Sequence, residues 1–202
     1  MRNSIEELVF DLGNVVVEFK PKAYMKRLGF SEEDIDALFI IIFKDKRWND
    51  FDRGTLSIEE YTSALVSEHP EYKAHIEHMF SGNWTANLFK PKEETIQFLK
   101  EAATKGYRIY VLSNVSEHVL NYVKTLGFWD YVTGGTYSYV HHYLKPEPEI
   151  YEVFFRDNDL IPEKCLFLDD LPQNIAAAKE FGMNGIVFCD NLEEVSKVLS
   201  SN

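Results

Sequence analysis

Apolar and polar positions change their spacing twice along the chain. From about residue 8 to 17 the apolar positions run almost unbroken, Leu8-Val9-Phe10, then Leu12 and Val15-Val16-Val17. That run predicts a buried strand entering a turn at Gly13-Asn14. From about 20 to 85 the spacing becomes helical and charges are frequent. Ser31-Glu32-Glu33-Asp34 and Ser57-Ile58-Glu59-Glu60 read as helix starts, each a hydroxyl followed three residues later by an acid. From about 91 onward short apolar runs alternate with helical stretches. Helices are predicted over 92–105, 116–125, 148–158 and 172–181, and near the C-terminus. Strands are predicted over 107–112, 165–168 and 184–188, and 131–144 reads as an irregular stretch with room for a short strand. Strands alternating with helices of this length indicate βαβ units and a parallel sheet. Right-handed crossovers then bring the carboxyl ends of all strands to one edge.

The expected architecture is therefore α/β. A Rossmann-like parallel-sheet core is formed by residues 1–17 and 86–202, and a helical module, 18–85, is inserted after the first strand. With 202 residues, 45% of them hydrophobic and 27% charged, the chain has ordinary globular composition. Its 21 basic residues against 33 acidic ones leave a formal charge of −12. Such a balance argues against nucleic acid and anionic membrane as partners. A small anionic substrate stays compatible with it, since a bound metal ion inverts the local field. Cys165 and Cys189 form no disulfide or zinc pattern. No apolar run is long enough to span a bilayer, and the first residues lack the apolar core of a signal peptide. A reducing cytoplasmic setting is expected.

Four short motifs carry chemistry. Asp11 follows Leu8-Val9-Phe10, Ser113-Asn114 follow Val111-Leu112, Lys145 precedes Pro146 and a helix start, and Asp169-Asp170 follow Phe167-Leu168. A strand that ends in a carboxylate presents an oxygen nucleophile at the edge where open α/β sheets bind ligands. Three carboxylates drawn to that edge repel one another unless a cation sits among them, and oxygen-only donors suit Mg2+. Lys145 is a compact positive charge for Asp11 and a phosphoryl oxygen. Ser113 and Asn114 can donate to phosphate at a helix N-terminus, and Asn174 is placed to orient the acid pair. The bland alternatives are a helix cap at Asp169-Asp170 and at Ser113-Asn114, and a surface lysine at Lys145.

Taken together the four motifs resemble the haloacid dehalogenase-like hydrolase superfamily over nearly the whole chain. The run Phe10-Asp11-Leu12-Gly13-Asn14-Val15-Val16 resembles its small bacterial sugar-phosphate phosphatases, including glucose-1-phosphate phosphatases. The resemblance implies a Mg2+-dependent phosphatase acting on a small phosphorylated metabolite, such as a sugar phosphate, through an aspartyl-phosphate on Asp11. It implies metal ligands from Asp11, the Gly13 carbonyl and Asp170, with Asp169 acting through water. It also implies a phosphate cradle of Ser113, Asn114 and Lys145, and that the helical insert is a cap. Most phosphatases of the superfamily carry an acid–base Asp two residues after the nucleophile, and here that position is Gly13. An easily expelled leaving group, a cap residue such as Asp52, or a positioned water would have to compensate. The rivals are a metal-independent 2-haloacid dehalogenase and a weakly catalytic binding protein on the same fold. His75 and His78 are expected on an exposed helix face, His141-His142 in a loop, Trp48 and Phe51 in cap packing, and Arg53 in a turn or at a substrate anion.

Overall fold

The fold is described from a computed structural model covering residues 4–200. Seven strands are present among them: β1 Glu7–Phe10, β2 Val17–Phe19, β3 Phe89–Pro91, β4 Arg108–Ser113, β5 Val132–Tyr137, β6 Cys165–Asp169 and β7 Asn184–Val187. Five form one sheet in the order β5-β4-β1-β6-β7, and every pairing in it is parallel. β1 lies at the centre. It alternates its faces as period two requires: Leu8 and Phe10 pack into one apolar cluster, Val9 into the other. Helix Glu93–Thr104 and helix Glu117–Val123 cover the first face, with Leu99, Leu120 and Val123 fully buried. Helix Pro148–Asn158 and helix Pro172–Glu180 cover the second through Tyr151, Phe154 and Ile175.

The register fixes the site. Phe10 pairs with Val111 on one side and with Leu168 on the other. The next residue on each strand therefore brings Asp11, Leu112 and Asp169 to one level, and the Asp11 N–H donates to the Leu168 carbonyl at 2.9 Å.

Two expectations change. The apolar run over 8–17 is not one strand. β1 stops at Phe10, and the Leu12 carbonyl then accepts from the N–H groups of Val15, Val16 and Val17. Val15 and Val16 are buried in that turn, and a continuous apolar run does not distinguish a buried turn from a strand. β2 then leaves the sheet to pair antiparallel with β3. The irregular stretch contains a full edge strand, β5. Its Gly134-Gly135 hid the strand pattern, yet a Cβ on Gly135 would lie 2.4 Å from the Val111 carbonyl oxygen, so close pairing with β4 demands glycine there.

Between β2 and β3 the chain is helical: Pro21–Arg27, Glu32–Leu38, a π-helical turn Phe39–Phe43, Arg47–Asp52, Ile58–Glu68, Lys73–Met79 and Trp84–Leu88. Ser31 caps its helix by accepting from the Asp34 N–H, and Ser57 with Glu60 forms a reciprocal capping box. Buried Tyr24, Leu38, Tyr61, Leu65 and Ile76 join the same apolar cluster as the first face of the sheet. The helical module thus shares a core with the sheet.

Candidate active site

Asp11 emerges from the central strand into a cavity of about 260 Å³, lined also by Gly13, Asn14, Asp52, Ser113, Asn114, Lys145, Asp170 and Asn174. The parallel register delivers Asp11, Ser113 and Asp169 from three adjacent strands. Lys145 arrives from the loop before helix Pro148–Asn158, behind a cis Lys145–Pro146 bond.

The Lys145 ammonium is almost completely buried and uses all three of its donors. It contacts Asp11 Oδ1 at 2.9 Å, Asp169 Oδ2 at 2.6 Å and the Leu112 carbonyl at 2.9 Å. Asp11 Oδ1 also accepts from the Leu12 N–H at 2.7 Å, so the Asp11 oxygen left for further chemistry is Oδ2. Asp169 is fully enclosed. The Leu171 N–H at 2.8 Å and Asn174 Nδ2, at 3.0 Å from both its oxygens, hold it in place. Asn174 therefore orients the first acid of the pair, as its position one turn into the helix suggested. Asp170 is half-buried and accepts from Asn14 Nδ2 at 2.9 Å.

Carboxylate oxygens of Asp11, Asp169 and Asp170 lie within 4.8 Å of one another. Three acids against one lysine leave an excess of two negative charges when all are ionised. Burial, opposed by Lys145 and reinforced by Asp169, pushes Asp11 up to about 6. Burial likewise raises Asp170. Burial acts to lower Lys145, but the two facing carboxylates more than offset it and leave it raised.

A divalent ion fits this donor set on charge and on chemistry, because every candidate ligand is an oxygen. Asn174 Oδ1 points the same way. It is buried, lines the cavity and has no hydrogen-bond partner among the described residues, as befits an acceptor for a metal-bound water. Asp170 and Asp11 Oδ2 are the open donors, whereas both oxygens of Asp169 are already engaged. The Gly13 carbonyl accepts none of the turn's backbone hydrogen bonds.

Ser113 Oγ is buried beside Asp11, and its hydroxyl acts to lower the Asp11 pKa. Asn114 departs from the expected cradle. Its Nδ2 donates to the Lys145 carbonyl at 2.9 Å and its Oδ1 accepts from the Lys145 N–H at 2.7 Å. The side chain latches the lysine loop while Asn114 still lines the cavity.

The first helical module contributes Trp48 and Asp52. Asp52 is pushed well above the ordinary carboxylate range by burial and then by the charge of Asp11, against hydrogen bonds from the Ser116 N–H and the Trp48 side chain. Its backbone is tied to the core, since Ser138 Oγ donates to the Asp52 carbonyl at 2.5 Å. Arg53 turns away from the cavity. It pairs with both Glu147 oxygens at 2.6 and 2.9 Å and donates to the His142 carbonyl. His142 Nδ1 returns a contact to the Arg53 carbonyl. His75 packs edge-on against Phe30 within the helical module and does not line the cavity, and Phe51 stacks on Tyr61.

Asn14 was not singled out from the sequence. It adopts φ +56, a left-handed conformation that asparagine tolerates, and its amide bridges Asp170 to the Phe19 N–H. The Gly13-Asn14 pair signals a turn, but only the fold directs that amide onto the second acid.

A family model described as haloacid dehalogenase-like hydrolase matches residues 7–182. A sesquiterpene phosphatase of Aspergillus oryzae is 23% identical over 197 residues, covering 95% of this chain and 94% of that protein. D-ribitol-5-phosphate phosphatase of Bacteroides thetaiotaomicron is 25% identical over 196 residues, covering 88% and 89%. A HAD family enzyme of Bacteroides thetaiotaomicron, solved with magnesium and inorganic phosphate, superposes with a TM-score of 0.72 at 20% identity over 93% of this chain and 96% of its own. At that identity the structural likeness establishes the fold.

Proposed function

Because this chain belongs to the haloacid dehalogenase-like hydrolases, we propose that it is a Mg2+-dependent phosphatase of small phosphate monoesters. The observation that carries this reading is the convergence of Asp11, Asp169 and Asp170 around one buried lysine at the mouth of a parallel sheet. Asp11 Oδ2 attacks phosphorus, the bond to the leaving oxygen breaks, and an aspartyl-phosphate forms. Asp11, Asp170 and the Gly13 carbonyl would hold Mg2+, with Asp169 acting through water, and the ion would supply charge neutralisation on the transferring group. Lys145 keeps Asp11 aligned and can pass its contact to a phosphoryl oxygen once Asp11 becomes esterified. Ser113 and the Asn114 backbone bind the remaining oxygens. Water then hydrolyses the acyl-phosphate and returns Asp11.

Gly13 supplies no acid, so the proton for the leaving oxygen must come from elsewhere. Asp52 lines the same cavity, and burial pushes its carboxyl well above the ordinary range, which favours the protonated form that a general acid needs. In this reading residues 18–85 form the cap, and 1–17 with 86–202 form the catalytic core. The two related phosphatases act on leaving groups of opposite polarity, a terpenoid and a polyol, so relatedness alone does not choose between a sugar phosphate and an apolar ester.

The direct test is hydrolysis of 4-nitrophenyl phosphate with Mg2+. Activity is expected to vanish with chelator and to fall at least ~10³-fold in Asp11→Asn, the scale on which loss of a nucleophile is felt. Chelator-resistant turnover, or an Asp11→Asn enzyme of near-wild-type rate, contradicts the proposal.

A further inference from the structure

The floor and the wall of the cavity differ in chemistry. Most of its polar side chains belong to the acidic centre or are engaged by neighbouring residues. Asp11, Ser113, Lys145, Asp170 and Asn174 serve the acidic centre, Asn14 is bonded at both ends of its amide, and so is Asn114. The wall above is made by Phe19, Trp48, Phe89, Val115, Val119 and Leu171. Phe19 is stacked between Trp48, at 6.1 Å and 28°, and Phe89, at 5.2 Å and 23°, so the surface is preformed. The indole is already a hydrogen-bond partner of Asp52. Leu171, directly after the acid pair, is 42% exposed although it is a large apolar side chain, and it lines the cavity as well.

We propose that the leaving group is an apolar alcohol, the substrate being a phosphate monoester of an aliphatic or aryl alcohol and not of a polyol. The inference rests on the phosphatase reading and narrows it. An anionic phosphate is held at the floor while the organic group lies against the aromatic stack, and a longer chain leaves past Leu171. Hydroxyls of a sugar or alditol would be pressed onto carbon without partners, and each one stripped of water unpaired costs roughly a factor of ten in binding. Each methylene laid on the wall instead gains about a factor of four. Asp52, tied to the wall through its contact with the Trp48 side chain, is the acid assigned to the single leaving oxygen.

The experiment compares kcat/KM, with Mg2+, for linear alkyl monophosphates of increasing length and for glycerol, ribitol and glucose monophosphates. The expected result is a rise of about fourfold per added methylene until the cavity is filled, with the best alkyl ester exceeding every polyol ester by at least ~10²-fold. Leu171→Asn, at a partly exposed position, is expected to flatten the chain-length dependence for the longer esters. A flat series, or a polyol ester in the lead, overturns the apolar leaving group and leaves the phosphatase standing. Failure to hydrolyse any ester overturns the phosphatase reading and this inference with it.

Discussion

Asp11 is pulled two ways. Burial and Asp169 favour its protonated form, while Lys145 favours the carboxylate. The oxygen assigned to nucleophilic attack in the proposed mechanism is the one that neither Lys145 nor the Leu12 N–H occupies. In the proposed mechanism the missing acid at Gly13 gives leaving-group protonation to Asp52. Asp52→Asn is expected to lower kcat about 10²-fold for alkyl phosphates, whose oxygen must be protonated, and less than about tenfold for 4-nitrophenyl phosphate. A Cβ at Gly13 would meet nothing within 4 Å, so Gly13→Asp in the Asp52→Asn background is expected to recover alkyl phosphatase activity. Equal losses on both leaving groups would remove Asp52 from proton transfer. At this scale the sequence was legible wherever a side chain ends an apolar strand: Asp11, Ser113 and the acid pair. It was silent on Asn14 and on the Asn114–Lys145 latch, since both depend on the way distant loops meet.

Among the elements, the helices after residue 91 were readable because their caps and periodicity are local. β5 was not, because pairing with β4 required glycines that erase the strand signature. The break between β1 and β2 was hidden for the opposite reason, an apolar turn buried as deeply as the strand. The contact between the helical module and the core was also invisible, and Arg53 takes part in it beside the shared apolar core. That residue joins Glu147 in a two-pronged pair and holds it below its ordinary value. The sign follows from a depressed carboxylate: its contribution is present above the ordinary Glu range and is lost as pH falls through the folded value. Both side chains are about a third exposed, so Glu147→Gln is expected to cost no more than about 1 kcal/mol. Urea unfolding at neutral pH should show that loss, and the gap to wild type should close on acidification. A gap that persists at low pH would mean the glutamate acts through packing.

For the molecule as a whole, a net charge of −12 and an acidic centre place the burden of anion binding on one cation. No helix among the described residues is long and apolar enough to cross a membrane. In metal-free protein the folded state keeps a proton on Asp11 up to about pH 6, whereas the unfolded chain releases it in the ordinary carboxylate range. Stability of the metal-free form should therefore fall as pH rises through that window, and Mg2+ should offset the loss. Thermal unfolding is expected to show a larger Mg2+-induced rise in Tm at pH 8 than at pH 5, and equal rises would place the ion away from Asp11. The measurement closest to the central claim is peptide mass spectrometry of enzyme acid-quenched during turnover. It should find a Mg2+-dependent phosphoryl group on the peptide carrying Asp11, and borohydride, which reduces an acyl-phosphate to the alcohol and releases phosphate, should convert that side chain to homoserine. A phosphoryl group on another residue, or full turnover with Asp11 never modified, would contradict the account.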